Sequence, residues 1–290
     1  MADTGMEHRI AVTGSTGIVG GSTARILAGE GLPLILPVRS PDRAQHLPES
    51  EVRQASYEDS AAALDALAGV DVLFMVSAAE AQDRLESHRT FVDAAARAGV
   101  RHIVYTSFLG AGPEAAFLLA RDHWYTEEHI RRSGLTWTFL RDNLYLDVVP
   151  ALAEDGVIRG PAGDGRLSAV AQADVARSAA AVLRAPDEHA GKTYHLTGPE
   201  AFTLAEAAAV ISDLTPASVR FEDQTHSEAL ASRAHHGAPP WQVDAWVSTY
   251  TAIARGEMAE VSQDVERLTG RAPLGLRDLL TTPGPGGRHA

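Results

Sequence analysis

Arg9-Ile10-Ala11-Val12-Thr13-Gly14-Ser15-Thr16-Gly17-Ile18-Val19-Gly20 is a short apolar run that breaks into glycines and then into a helical pattern. It reads as a strand, a tight turn and the start of a helix. Gly14 supplies the turn, Gly17 lets backbone approach a bound group, and Gly20 lets the helix pack against the sheet. Such a turn points unpaired amide N–H groups, and the positive end of the helix dipole, at one spot. That spot suits a pyrophosphate. The glycines fall as G-x-x-G-x-x-G and not as the tighter G-x-G-x-x-G, so the triplet carries weight only in the right context.

The downstream chain supplies that context. Leu34-Ile35-Leu36-Pro37-Val38 reads as a second buried strand, in which Pro37 costs a ladder hydrogen bond and predicts a bulge at the strand's end. Residues 52–55 form a weak third strand, 71–76 a fourth, 102–106 a fifth and 135–140 a sixth. Helical spacing fills the gaps at 22–28, 60–67, 85–98 and 114–133, with Gly69, Gly99 and Gly134 as stops. Strand and helix in alternation predict an α/β fold, a doubly wound parallel sheet of Rossmann type.

Ligands of such sheets sit beyond the carboxyl ends of the strands. The loops there carry Gly14, Ser15, Thr16, Gly17, Ile18 and Val19, then Arg39, Ser40 and Arg43, then Ser56 and Tyr57, then Ser77, Ala78 and Ala79, then Ser107, and finally Asn143 and Tyr145. About twenty positions past the glycines, where a carboxylate would take the ribose hydroxyls, stands Arg39, with Arg43 behind it. A guanidinium attracts a 2′-phosphate that a carboxylate would repel, which favours NADP(H) over NAD(H).

Composition narrows the class further. The chain has 290 residues, a formal net charge of -13 and no cysteine. The charge argues against a nucleic-acid binder, which needs clustered cations. Disulfides, Cys-ligated zinc and thiol nucleophiles are excluded. No run approaches the roughly 18 apolar residues of a membrane span, and residues 1–8 lack the apolar core of a signal peptide, so the cytoplasm is the expected compartment. Lys192 is the one lysine. Arginine in place of lysine, with abundant alanine and glycine, suggests a GC-rich bacterial genome.

Beyond residue 147 the character changes. Gly156, Gly160, Gly163 and Gly165 mark a loop-rich crossover, 173–183 an Ala-rich helix and 192–196 a further strand, so the first domain is rejoined at about 170–200. Helical spacing returns at 204–213, an edge strand at 219–222 and a Trp-bearing helical region from 227, where Trp241, Trp246, Tyr250 and Ile253 fall on one stripe. A last short helix covers 264–268. The expected division is a nucleotide-binding domain over 1–147, a smaller substrate lobe over most of 148–282, set over the sheet's carboxyl edge, and a disordered tail at 283–290. His235-His236 has no carboxylate near it in sequence and reads as a polar loop, so no metal site is expected.

Val12 to Gly20, Val38-Arg39-Ser40-Pro41, Gly69-Val70-Asp71, Val104-Tyr105-Thr106-Ser107 and the run from Ser133 to Arg141 together resemble the atypical short-chain dehydrogenase/reductases. Within them the chain is most similar to the NmrA-like group, near its NADPH-dependent quinone reductases. The resemblance implies a Rossmann-type domain binding NADP(H), with the nicotinamide near the ends of the fourth to sixth strands. It also implies that Ser107 lies near the nicotinamide and that Asn143 and Tyr145 belong to a substrate-facing loop. The superfamily's Tyr-x-x-x-Lys dyad is missing, since Glu188 stands four residues before Lys192. Alignment on Ser133-Gly134-Leu135 puts Leu119 in the tyrosine's place and His123 in the lysine's. His123 resembles a histidine that binds the nicotinamide ribose or transfers a proton. Tyr105, inside a strand, reads as core.

Three functions are compatible with these residues: NADPH-dependent reduction of a quinone or related planar carbonyl compound, NADP(H) sensing by a regulatory protein, and a tailoring ketoreductase or cyclase step of bacterial secondary metabolism. A quinone accepts hydride at a low barrier and yields a weakly basic oxyanion, so loss of the dyad suits it. The expected partner is a small aromatic or quinone-like molecule, and a homodimer is an open option.

Overall fold

In the computed structural model, which describes residues 8–282, β1 (Ile10–Val12) leads through the glycine turn into α1 (Ile18–Gly29). There follow β2 (Leu34–Val38), β3 (Ser50–Gln54), α2 (Ser60–Ala66), β4 (Val72–Met75), α3 (Arg84–Arg97), β5 (His102–Phe108), α4 (Leu118–Arg132) and β6 (Thr136–Asp142). Short strands β7 (Ala153–Glu154), β8 (Val157–Gly160) and β9 (Arg166–Leu167) precede α5 (Gln172–Arg184) and β10 (Lys192–Leu196). The chain continues as β11 (Phe202–Thr203), α6 (Leu204–Leu214), β12 (Arg220–Asp223), α7 (His226–Ser232), α8 (Pro240–Ala254), α9 (Asp264–Thr269) and α10 (Leu276–Thr281). The tail expected at 283–290 lies outside the described residues.

The main sheet has seven parallel strands in the order β10-β6-β5-β4-β1-β2-β3. From β1 the chain winds one way through β2 and β3 and the other way through β4, β5, β6 and β10, so the switch point lies between β1 and β4. Every residue of β4 is buried, as expected of a strand covered on both faces. One face packs Leu73, Met75, Ile103 and Tyr105 against Phe91, Ile130 and Phe139 in a single buried cluster.

Pro37 causes no bulge. It keeps one-to-one register with Arg53 of β3, and Val38 follows with Gln54. The β1 ladder ends at Ala11 and Ile35, before Pro37 is reached, so the missing N–H interrupts nothing on that side. Strand β5 runs two residues beyond the expected 102–106 and takes in Ser107 and Phe108, while α4 starts at Leu118 and not at 114.

The chain divides into two units. Of the described residues, one holds 8–108, 122–141 and 175–194, the other 109–121, 142–174 and 195–282. The nucleotide-binding unit thus gives up 109–121, which the sequence places inside it, and regains the chain at 175. In the second unit β8 pairs parallel with β12 and antiparallel with β7. The β7–β8 loop is Asp155-Gly156, with φ of 49° and 75°, the two left-handed residues of a type I′ hairpin turn. Helix α8 buries Val247, Tyr250 and Ile253, with Trp241 and Trp246 half-buried.

Candidate functional site: a cleft at the switch point

A cleft of about 310 Å³ opens where β1 and β4 end, bounded by Gly14 and Thr16, by Arg39, by Ser56 and Tyr57, and by residues 76–81. Gly14 sits at φ 62°, where a side chain is strained, and a Cβ there would meet Val76 Cβ at 3.1 Å. A Cβ on Gly20 would lie 2.5 Å from the Gly14 carbonyl oxygen, so only glycine lets α1 approach β1 this closely. Gly17 caps α1 without a side-chain hydrogen bond, and no acidic residue occupies the first turn. The first amides of α1 and its dipole are therefore available to an anion.

Of the candidate cofactor residues, Gly14, Thr16, Arg39, Ser56, Tyr57, Ser77, Ala78 and Ala79 line this cleft. Ser15, Gly17, Ile18, Val19, Ser40 and Arg43 do not. The Ser15 side chain is buried, and Arg43 closes a short 3-10 turn over Pro41–Arg43. Tyr57 contributes its ring rather than its hydroxyl. That hydroxyl bonds Thr13 Oγ1 at 2.6 Å and the Val76 carbonyl at 2.5 Å, the ring stacks on Phe91, and burial raises the phenol's pKa. Tyr57 ties the end of β1 to the end of β4.

The expected catalytic residues are engaged elsewhere. Ser107 is fully buried inside β5, and its hydroxyl donates to Glu127 Oε1 at 2.5 Å. Glu127 is in turn clasped by Arg141 at 2.6 and 2.8 Å and by Arg131 at 3.0 Å. His123 is buried with both ring nitrogens used. Arg84 Nη2 lies 2.9 Å from Nε2, and because arginine only donates, Nε2 accepts and the proton sits on Nδ1, 3.0 Å from the Tyr105 hydroxyl. Burial first, and the Arg84 charge second, hold His123 well below the usual histidine range, so it is neutral at pH 7. A neutral imidazole spent on Arg84 is no proton donor.

In the second unit, Asn143 is buried and its amide is consumed. Nδ2 reaches Ser168 Oγ at 2.9 Å and the carbonyls of Ser168 and Met258, and Oδ1 accepts from the Leu144 N–H at 2.8 Å. It organises its own loop and has no donor left for a cofactor. The Tyr145 hydroxyl donates to Asp142 Oδ2 at 3.0 Å.

Several residues that shape the cleft escaped the sequence reading. Arg84, from the first turn of α3, lines it with a buried side chain. Its Nε holds the Ala78 carbonyl at 2.9 Å, Nη2 holds His123, and Nη1 has no hydrogen bond, with Asp122 Oδ2 3.7 Å away. His88 clamps the same loop from the other side, its Nε2 accepting the Ala78 N–H at 2.9 Å and its Nδ1 facing Thr126 Oγ1 at 2.9 Å. Gln45 braces the glycine turn through the Ser15 carbonyl at 2.9 Å. An arginine at the start of an amphipathic helix carries no sequence signal of burial; here it is a buried cation lining the cleft.

A glycine turn closing on an uncapped helix, at the switch point of a parallel doubly wound sheet and across from an arginine, defines a Rossmann-type dinucleotide-binding protein. The family model described as NAD(P)H-binding matches residues 14–186. The chain belongs to that family and is an NAD(P)H-dependent oxidoreductase. Among its relatives, quinone oxidoreductase 2 of Escherichia coli (strain K12) is 34% identical, over 94% of this chain and 97% of its own. The solved structure of the E. coli NADPH-dependent quinone oxidoreductase complexed with NADPH superposes with a TM-score of 0.86 at 32% identity, covering 94% of this chain and 98% of that one. A Citrobacter triphenylmethane reductase complexed with NADP(H) superposes at 0.82 and 31% identity, over 94% and 98%. The family agrees with the resemblance carried by the motifs.

Proposed function

We propose that the chain transfers hydride from NADPH to a planar, conjugated acceptor of quinone or dye type. The observation that carries this reading is the fate of His123. At the position where a lysine would complete a proton-donating dyad stands a buried, neutral imidazole whose lone pair is spent on Arg84. Among the described residues lining the cleft, the titratable groups are Arg39, Tyr57, Glu58, Glu80 and Arg84. The one phenol among them has its pKa raised by burial. A site built this way supplies shape and two placed guanidiniums, Arg39 and Arg84, set against the carboxylates of Glu58 and Glu80, rather than a proton. An acceptor whose reduced oxyanion is stabilised by conjugation needs no more, because positioning and electrostatics lower its barrier. Likeness to a quinone reductase and to a dye reductase supports the same acceptor class.

The residues present fit NADP(H). The uncapped amides of α1 and the Gly14 turn suit the pyrophosphate, Arg39 suits the 2′-phosphate, and Nη1 of Arg84, which makes no hydrogen bond and has only the Asp122 carboxylate 3.7 Å away, offers a charged donor to an oxygen of the cofactor. Bound NADPH supplies the hydride. Tyr57, Ala78 and Ala79 would line the bound cofactor, and Arg84 and His88, bonded to the Ala78 carbonyl and N–H, keep that loop in place.

The test is NADPH oxidation followed at its own absorbance with three acceptor sets: simple quinones, triphenylmethane and azo dyes, and saturated ketones. The reading expects turnover with the first two sets and none with the third. Turnover with saturated ketones alone, or tight NADPH binding without turnover in any set, contradicts it.

A further inference from the structure

The second unit carries a cluster that the cofactor cleft does not use. Glu154, His235 and His236 present ligand atoms within 4.8 Å of one another. In the sequence, His235-His236 has no carboxylate nearby; the fold brings one from about eighty residues away. Glu154 ends β7, directly before the Asp155-Gly156 turn that joins it to β8, so its backbone is fixed by a hairpin. The two histidines sit on a single 3-10 turn, Ala234–His236, which ends at Gly237 in the left-handed conformation, φ 65°. Both halves of the cluster are thus mounted on tight turns.

The donor atoms are spaced close to what a coordination shell requires. His235 Nε2 lies 3.5 Å and His236 Nε2 3.6 Å from the same carboxylate oxygen, Glu154 Oε1. A tetrahedral centre with bonds of about 2.0–2.1 Å to nitrogen and oxygen needs ligand atoms roughly 3.3 Å apart, so the two histidine-to-carboxylate distances are within a few tenths of an ångström of that spacing, and the side-by-side imidazoles, ring centroids 4.0 Å apart, complete it by side-chain rotation. The His235 Nδ1 lies 2.9 Å from the Ser232 carbonyl oxygen, which can only accept. That bond places the proton on Nδ1 and leaves the Nε2 lone pair turned to Glu154, the arrangement in which ligating histidines are oriented by a backbone acceptor. His236 is held edge-on against the Trp246 ring, centroids 5.7 Å apart. Arg159, a neighbouring cation, points its guanidinium at the Glu154 backbone carbonyl (3.4 Å) and the Glu222 carboxylate (3.7 Å).

We infer that Glu154, His235 and His236 form a site for a divalent transition metal of zinc type, with at least one further coordination position open to water. Two imidazoles and one carboxylate match the nitrogen and oxygen donor set that such ions prefer over the oxygen-only shells of calcium and magnesium. The three residues are exposed, so the ion would exchange with solution and the site would act as a clip. It ties the β7–β8 hairpin to the turn after α7, reinforcing the hydrogen bond from Arg233 Nη2 to the Arg159 carbonyl that already links them at 2.8 Å.

The test is calorimetric titration of the untagged, full-length protein with zinc chloride at pH 7.5, alongside His235→Ala, His236→Ala and Glu154→Gln. The inference expects one tight zinc per wild-type chain, a melting temperature that rises with zinc, and a Kd raised roughly tenfold or more in each variant. Cobalt(II) in place of zinc gives d–d absorption bands in the wild type that the variants lose. NADPH affinity, read by fluorescence, stays unchanged in all three variants, which confirms their folding and separates this site from the cleft. Zinc bound equally by wild type and variants assigns the ion to other surface histidines and overturns the inference, as does a wild type that takes up no zinc.

Discussion

Arg84 is the buried cation of the cleft, and it comes from a helix that the sequence gives no reason to single out. Its three nitrogens address three groups: the Ala78 carbonyl, the His123 imidazole and the carboxylate of Asp122. Replacing it by methionine strips the Ala78 loop of one clamp and the cleft of a charge. NADPH affinity, measured by fluorescence titration, is expected to fall at least about tenfold, consistent with loss of a charge-assisted hydrogen bond of roughly 1.5–3 kcal/mol. Arg84→Lys restores the charge but not the fork, so it recovers only part of the loss. Arg39 has a different signature. Arg39→Asp should weaken NADPH by more than tenfold on the same scale while leaving NADH within a factor of about two; equal losses for both nucleotides would remove the 2′-phosphate from its role. His123 and Ser107 show why residue-level reading falls short. The resemblance gives both a role at the nicotinamide, but the neighbours that consume them, Arg84 for His123 and Glu127 for Ser107, are 39 and 20 residues away, and only folding brings them together.

At the scale of elements, the glycine turn and its flanks were the most legible part of the chain, because the backbone constraints are local. Gly14 must adopt φ 62° and Gly20 must leave room for a carbonyl, and both needs are written in the spacing of the glycines themselves. Gly20→Ala puts a methyl 2.5 Å from the Gly14 oxygen and should cost about 1–3 kcal/mol or more in urea unfolding, with NADPH affinity falling alongside. If Gly20→Ala keeps both stability and affinity, α1 does not need its close approach. Less legible were the elements whose meaning depends on partners. Pro37 reads as a bulge until the short β1 ladder is known, and β7, β8 and β9, short strands in a glycine-rich stretch, read as loop. Residues 114–121 read as the first turns of the helix expected at 114–133, yet 109–121 belongs to the second unit, where Glu257 accepts the Ala116 N–H at 2.8 Å and Ser248 the Leu118 N–H at 3.0 Å.

Across the whole molecule, buried histidines make stability depend on pH. His88 and His123 are held well below the usual range by burial, and His102 is pushed down to about 4 for the same reason. A histidine with a depressed folded pKa binds its proton more readily when unfolded, so its penalty is absent above the unfolded value of about 6.5 and grows as pH falls below it. His102 alone corresponds to a loss on the order of 3 kcal/mol by pH 4. The melting temperature should therefore decline from pH 6.5 to 4, and His102→Gln should flatten part of that slope; a profile unchanged by the substitution would show that His102 is not the group responsible. The doubly wound class followed from alternating patterns alone, whereas the acceptor chemistry rests on which groups the fold leaves free to ionise. That distinction can be put to the protein directly. In a single-turnover stopped-flow experiment, enzyme loaded with NADPH is mixed with excess benzoquinone between pH 6 and 9, for the wild type and for His123→Gln. The account predicts rapid NADPH oxidation at a rate flat across that range and retained within about threefold in the variant, since no side chain donates the proton. A cofactor that stays reduced, or a rate that follows one ionisation and loses it in His123→Gln, would contradict it.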